Sequence, residues 1–239
     1  MHLLITICAR GGSKGIPGKN IRPINGTPLI TYSIRHALAY AKKTGADIEL
    51  STDNDAIKDV AAKAGLTTDY VRPPALASDM AGKLETIEDI VLHAERKHGK
   101  HYDYILDLDV TSPLRTMEDL DNAFAMIEKN PAARNLFSVS FPKHNPYFDM
   151  VELKEDGFVG LVKKPEKQMV ARQEGPKVYE VNASFYFYRR AFFDEHPLII
   201  IKNTLAYEVP HMCFELDDML EFELLDYLLR EKKLDFRFQ

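Results

Sequence analysis

A nearly unbroken apolar run at 3–8, Leu3-Leu4-Ile5-Thr6-Ile7-Cys8, empties into a loop holding Gly11, Gly12, Gly15 and Gly18. A short run of this kind bounded by glycines predicts a strand buried on both faces. Leu29, Ile30, Ile34, Ala37, Leu38 and Ala41 then follow helical spacing up to Thr44, with Thr27-Pro28 as the start signal and Gly45 as the stop. A strand at 47–50, a helix at 55–64 stopped by Gly65, and a strand candidate at Tyr70-Val71 come next. The pattern continues with a helix at 84–98, turning Ile87, Ile90, Val91 and Ala94 inward, and a strand at 104–108. Thr116 caps a helix running to about 129, and 135–141 reads as a strand. Strands alternating with helices at this spacing predict an α/β fold with a mostly parallel sheet and right-handed crossovers.

The stretch 142–177 breaks the pattern. Its prolines, paired lysines and short alternating pieces at 150–153 and 158–162 have no helical period. It reads as a hairpin-rich excursion from a single domain spanning 1–239: a cover for a site, a dimer contact or a plain surface insertion. The sheet is expected to resume at 183–188 and to end with a strand at 212–216. Asp217 or Asp218 then opens a final helix, 219–231, with Phe222, Leu225, Leu228 and Leu229 on its buried face. The polar strand ends all fall on carboxyl sides, where open α/β sheets bind ligands.

Composition narrows the possible functions. Hydrophobic content of 45% and charged content of 28% are those of an ordinary globular protein. A net charge of −5 argues against a general nucleic-acid binder. No apolar run approaches the roughly 20 residues needed to cross a bilayer. Cys8 and Cys213 make neither a disulfide framework nor a metal pair, and the eight histidines form no H-E-x-x-H. Met1 leads straight into a strand without a signal-peptide pattern, so the expected compartment is the cytoplasm.

The first loop carries the chemistry. Glycines let backbone N–H groups line a concave anion nest, and Arg10, Lys14 and Lys19 add positive charge. It is not a Walker A loop, because Ser13 stands five residues before Gly18-Lys19 and Asn20 follows. Nor is it the dinucleotide fingerprint, whose glycine spacings are missing.

The run from Ala9 to Asn20, Ala9-Arg10-Gly11-Gly12-Ser13-Lys14-Gly15-Ile16-Pro17-Gly18-Lys19-Asn20, resembles the signature loop of the CMP-N-acylneuraminate synthetases, or acylneuraminate cytidylyltransferases. Later blocks resemble the same family in the same order: Ser51-Thr52-Asp53, Arg72-Pro73 with Ala77-Ser78-Asp79, Thr111-Ser112-Pro113-Leu114-Arg115, Arg172-Gln173-Glu174, Asn182-Ala183-Ser184-Phe185-Tyr186 and Glu215-Leu216-Asp217. The resemblance implies a Rossmann-like nucleotidyltransferase fold and a homodimer paired through 142–177. It implies a reaction of CTP with a nine-carbon 2-keto sugar acid, such as sialic acid, its deaminated analogue KDN or legionaminate, giving a CMP-sugar and pyrophosphate with Mg²⁺ as cofactor.

By the same resemblance, Ala9, Arg10, Gly11, Gly12, Ser13, Lys19, Asn20, Arg72 and Ser78 bind the nucleotide. The sugar acid falls to Asn20, Asp109, Thr111, Ser112, Arg115, Arg172, Gln173, Tyr179, Asn182, Ser184 and Phe185. Arg10, Lys19, Arg172 and Asp217 are catalytic, and Glu215 with Asp217 holds the metal. Asp217 serves equally as an N-cap of the last helix.

Three departures stand out. Asp109-Val110 replaces a common Gln-Pro or Gln-Ala, Gly82-Lys83 replaces small hydroxyl residues, and Ala183 replaces a glycine. Asp107 and Asp109, at i and i+2, offer a second metal position. The rival readings are an eight-carbon (KDO) cytidylyltransferase, another sugar nucleotidyltransferase, or a nucleotide-binding regulator without turnover.

Overall fold

The computed structural model describes residues 1–12, 15–78, 80–164, 175–195 and 198–238. Its centre is a six-stranded sheet in the order β10-β6-β9-β5-β1-β4. The strands are β1 (Leu3–Cys8), β4 (Asp47–Ser51), β5 (Tyr104–Leu108), β6 (Asn135–Ser140), β9 (Glu180–Arg189) and β10 (Thr204–Glu208). β1 runs parallel to β4 and β5, and β10 parallel to β6, while β9 alone runs antiparallel to both its neighbours. The expected mostly parallel α/β sheet is therefore present.

Two cores explain why β1 is apolar throughout. Leu3, Ile5 and Ile7 pack on one face with α1 (Leu29–Thr44), α5 (Met117–Glu128) and α6 (Met219–Arg230). Leu4 faces the other way, toward Ile87, Val91 and Ala94 of α4 (Lys83–His98). The helix ends follow local rules. Asn54 caps α2 (Asp55–Lys63) by accepting from the Ile57 N–H, and Thr116 with Asp119 forms a full capping box on α5. Asp218, not Asp217, caps α6, with Glu221 closing the box. Asp217 is thereby left available for other work.

Three expectations are corrected. Thr27 does not cap α1: Thr27–Pro28 (β3) pairs with Pro23–Ile24 (β2) across an Asn25-Gly26 turn. Both turn residues have positive φ, 48° and 75°, a conformation suited to a two-residue hairpin. Tyr70-Val71 is not a strand; α3 (Pro74–Ala77) follows it, and the Tyr70 N–H is taken by the Thr68 hydroxyl. The last strand is β10 rather than 212–216. The 212–216 segment crosses the sheet ends, where the Leu216 N–H donates to the Thr111 carbonyl and Ser140 Oγ to the Cys213 carbonyl. β10 is an edge strand with half-exposed side chains, so its apolar alternation is weak. Within the excursion, β7 (Val151–Leu153) and β8 (Val159–Leu161) form a separate antiparallel hairpin.

Candidate active site

The carboxyl ends of β1 and β5, the glycine loop and the segment before α6 enclose a cavity of about 420 Å³. Eight expected site residues line it: Arg10, Lys19, Asn20, Arg72, Ser78, Asp109, Thr111 and Asp217. Lys19 begins a short 3₁₀ turn, Lys19–Ile21, entered through Gly18 at φ 65°. Its ammonium donates to the Leu216 carbonyl at 2.6 Å, which ties the loop to the acidic segment. Gly15 makes the same junction by close approach. A Cβ there would come within 2.6 Å of the Asp217 carbonyl oxygen.

The guanidinium of Arg10 donates to the Ser78 carbonyl at 3.0 Å, and Asn20 donates to the Arg10 carbonyl at 2.9 Å. Arg72 is held by Ser51, through its hydroxyl at 2.9 Å and its carbonyl at 2.8 Å. Arg10 and Asn20 of the glycine loop and Arg72 from the segment after α2 thus converge on one wall.

The opposite wall is acidic. Thr111 Oγ1 lies 2.9 Å from Asp109 Oδ1 and 3.1 Å from Glu215 Oε1. Its single proton can serve only one of the two carboxylates. Burial, then Asp109 and Asp217, push the Glu215 carboxyl above its ordinary range. Asp217 lines the cavity and Glu215 stands behind Thr111, outside the lining, so the negative charge gathered there on oxygen donors is of the kind that a hard divalent cation takes.

Between Asp107 and Asp109, where a second metal position is expected, the chain places a cation of its own. Lys83 places its ammonium 2.7 Å from Asp109 Oδ2 and 3.1 Å from Asp107 Oδ2. It also lies 4.0 Å from the centre of the Tyr186 ring. Burial alone would lower the Lys83 pKa, but the two carboxylates outweigh it and raise the pKa well above the ordinary value. Burial works against the Asp109 carboxylate, yet Lys83 and Thr111 hold its pKa down at about 2.

Other expected residues lie inside the wall rather than on it. The Ala9 N–H donates to the Ser51 carbonyl, and the Gly11 N–H to Asp53 Oδ1 at 2.8 Å, so neither amide is open to a phosphate. Gly12 stands in open space beside the loop, outside the cavity lining. Arg115 is fully buried. It donates to the carbonyls of Asp109 and Ser112 at 2.5 and 2.6 Å and to Ser184 Oγ at 3.0 Å. Burial draws its pKa down to about 10.

Ser112 and Ser184 are equally buried and are bonded to each other, Ser184 Oγ to the Ser112 carbonyl at 2.9 Å. Asn182 is spent on Ser138 and Ser140 of β6. Phe185 packs in the core against Phe187 and Tyr207. None of these five residues is among those lining the cavity. Tyr179 lines a different hollow, of about 510 Å³, with Pro142, His144 and Met150. Ser13, Arg172 and Gln173 lie outside the described residues.

Sequence reasoning missed Cys8, Gly15, Leu76, Ala81 and Thr86 as lining residues and did not give Lys83 its role. Lys83 carried a signal, since it opens α4 directly after the N-cap Gly82. Cys8 closes β1 just before the loop, and burial pushes its thiol up to about 12, which makes it a neutral wall and not a nucleophile.

An open sheet with this site at its carboxyl edge defines a nucleotidyltransferase fold. A CMP:2-keto-3-deoxy-manno-octonic acid synthetase complexed with CTP has the same fold, with a TM-score of 0.70 at 17% identity, over 97% of this chain and 100% of the other. Residues 4–230 match the cytidylyltransferase family model, and the chain belongs to that family. Its relatives include the post-translational flagellin modification protein B of Campylobacter coli, 37% identical over 98% of this chain and 97% of that protein. The CMP-N,N'-diacetyllegionaminic acid synthase of Campylobacter jejuni is 36% identical over the same shares. Among the described residues, no helix is long and apolar enough to cross a membrane.

Proposed function

We propose that this protein joins CTP to a nine-carbon 2-keto sugar acid, forming the CMP-sugar and releasing pyrophosphate. The observation that carries this reading is the pairing, in one cavity, of a cationic loop wall with an acidic wall bound to it through Lys19 and Leu216. The anomeric hydroxyl at carbon 2 attacks the α-phosphorus, a new C–O–P bond forms, and the bond to the β-phosphate oxygen breaks. Such transfers depend on positioning and on neutralising phosphate charge.

Arg10 and Lys19 hold the triphosphate, Asn20 orients it, and Arg72 with Ser78 flanks the cytidine. Glu215 and Asp217 are the ligands for Mg²⁺, which would neutralise phosphate charge during the transfer. Lys83 keeps Asp109 ionised and fixed as a hydrogen-bond acceptor facing the sugar acid, beside Thr111. Arg172 and Gln173 are assigned to the sugar acid on resemblance alone. Homodimerisation through 142–177 is supported by the outward apolar side chains of Val151, Leu153, Phe158 and Val159. Sedimentation as a monomer would remove the dimer. The reading is of a cytoplasmic enzyme.

The 36% identical relative named for N,N'-diacetyllegionaminate makes legionaminate-type acids the first to assay, with sialic acid and KDN beside them. Purified protein with CTP, Mg²⁺ and this panel is expected to release pyrophosphate. Faster release with ATP or UTP than with CTP, or none with any acid, overturns the assignment.

A further inference from the structure

Outside the cavity lining, a second polar cluster is built from three elements. Glu49 of β4, Asp69 of the segment leading to Arg72, and His93 of α4 bring ligand atoms within 4.8 Å of one another. The Glu49 side chain is only 1% exposed, yet its Oε2 has no hydrogen-bond partner. His93 Nε2 is likewise buried without one, and lies 3.5 Å from Asp69 Oδ1. A buried carboxylate oxygen and a buried ring nitrogen, both without hydrogen bonds in one cluster, are costly and call for a shared partner. We propose that Glu49, Asp69 and His93 form a binding site for a divalent transition-metal ion taken through nitrogen and oxygen donors, zinc being the fitting case.

The donor set and spacing agree with that ion. Histidine and carboxylate ligands at bond lengths near 2.0–2.1 Å give a tetrahedral edge of about 3.4 Å, and the His93–Asp69 separation is already 3.5 Å. His98 Nε2 stands 3.1 Å from Glu49 Oε1 but outside the group of three donors, so the fourth position falls to water.

Lys97 reaches the same two carboxylates, 2.9 Å from Glu49 Oε1 and 2.7 Å from Asp69 Oδ1. Its side chain is a third exposed. It therefore competes with the metal and can swing to solvent when one arrives, whereas it leaves Oε2 and Nε2 unserved when it stays. A bound ion would tie β4, the 67–72 segment and α4 together. It would thereby brace Arg72, whose anchor Ser51 lies two residues beyond Glu49.

The test uses untagged full-length protein stripped with a chelator and dialysed, titrated with Zn²⁺ by calorimetry and with Co²⁺ by visible absorption. One Zn²⁺ per chain is expected, with a tetrahedral Co²⁺ band, both retained in Asp217→Asn, which removes the other metal candidate. His93→Ala and Asp69→Asn, both at partly exposed positions, should each weaken binding by at least about tenfold, while Lys97→Met should tighten it. No heat and no Co²⁺ band from the wild-type chain at roughly 100 µM metal overturns the proposal, even if Lys97→Met binds. So does wild-type affinity in His93→Ala. Neither outcome depends on turnover, so the cytidylyltransferase reading stands or falls separately.

Discussion

Replacing Lys83 by Met tests the electrostatics of the acidic wall. The methylene stem is kept, so packing over Tyr186 is largely preserved, but the charge between Asp107 and Asp109 is lost. Asp107 is 1% exposed, Asp109 20% and Lys83 29%. Removing one partner of a fully buried pair costs about 3–5 kcal/mol. Partial exposure reduces this to roughly 2–3 kcal/mol at pH 7, or a fall in Tm of about 5–10 °C for a chain of this size.

The sign with pH follows from the two carboxylates. With Lys83 present, Asp109 has a folded pKa of about 2, below its unfolded value near 3.9. It therefore contributes stability above pH ~4 that is lost as pH falls through about 2. Without Lys83, two buried carboxylates face each other and at least one folded pKa rises above its unfolded value. The variant is then most destabilised at high pH and recovers as acid protonates the pair. Urea unfolding followed by circular dichroism, with chelator present, should show the largest gap to wild type at pH 8 and a smaller one near pH 4.5. Adding Asp109→Asn to the variant should restore part of the loss. A gap that does not change with pH, or one below about 0.5 kcal/mol, refutes the reasoning.

Gly15→Ala forces a methyl to within 2.6 Å of the Asp217 carbonyl; it should cut pyrophosphate release by at least about tenfold, equivalent to 1.4 kcal/mol, with the circular dichroism spectrum unchanged. Asp218→Ala removes the α6 cap and should cost about 1 kcal/mol in urea unfolding; an unchanged midpoint would contradict the capping assignment. Burial alone would lower the His211 pKa, but its bond to Asp119 at 2.8 Å raises it above the ordinary value. That contribution is complete below about pH 6.5 and fades as pH rises through the raised value, so wild type should lose stability from pH 6 to pH 9. His211→Gln should lose less over the same range.

Much of the fold was legible in the chain because its signals are local. The β1 run, the Gly45 stop on α1 and the Thr116–Asp119 box each depend on residues within a few positions. The glycine loop and the acidic Glu215–Asp217 segment were legible as motifs. What brings them together is a contact between Lys19 and Leu216, 197 residues apart, which no local pattern encodes.

Burial was also a tertiary decision. Arg115, Ser112, Ser184 and Phe185 read as ligand contacts within their motifs but lie beneath the surface: Ser184 and Phe185 are buried in β9, Arg115 donates to Ser184 and to the Asp109 and Ser112 carbonyls, and the Ser112 hydroxyl donates to the Phe214 carbonyl. Lys83 read as a departure from a pattern; only the approach of α4 to the end of β5 set its charge between Asp107 and Asp109. Sequence alone determined most of the elements, though not β10 or the course of 212–216, and which chemistry is present. The tertiary structure determined which of those groups meet and which reach the cavity, since solvent exposure and charge pairing are properties of the packed chain.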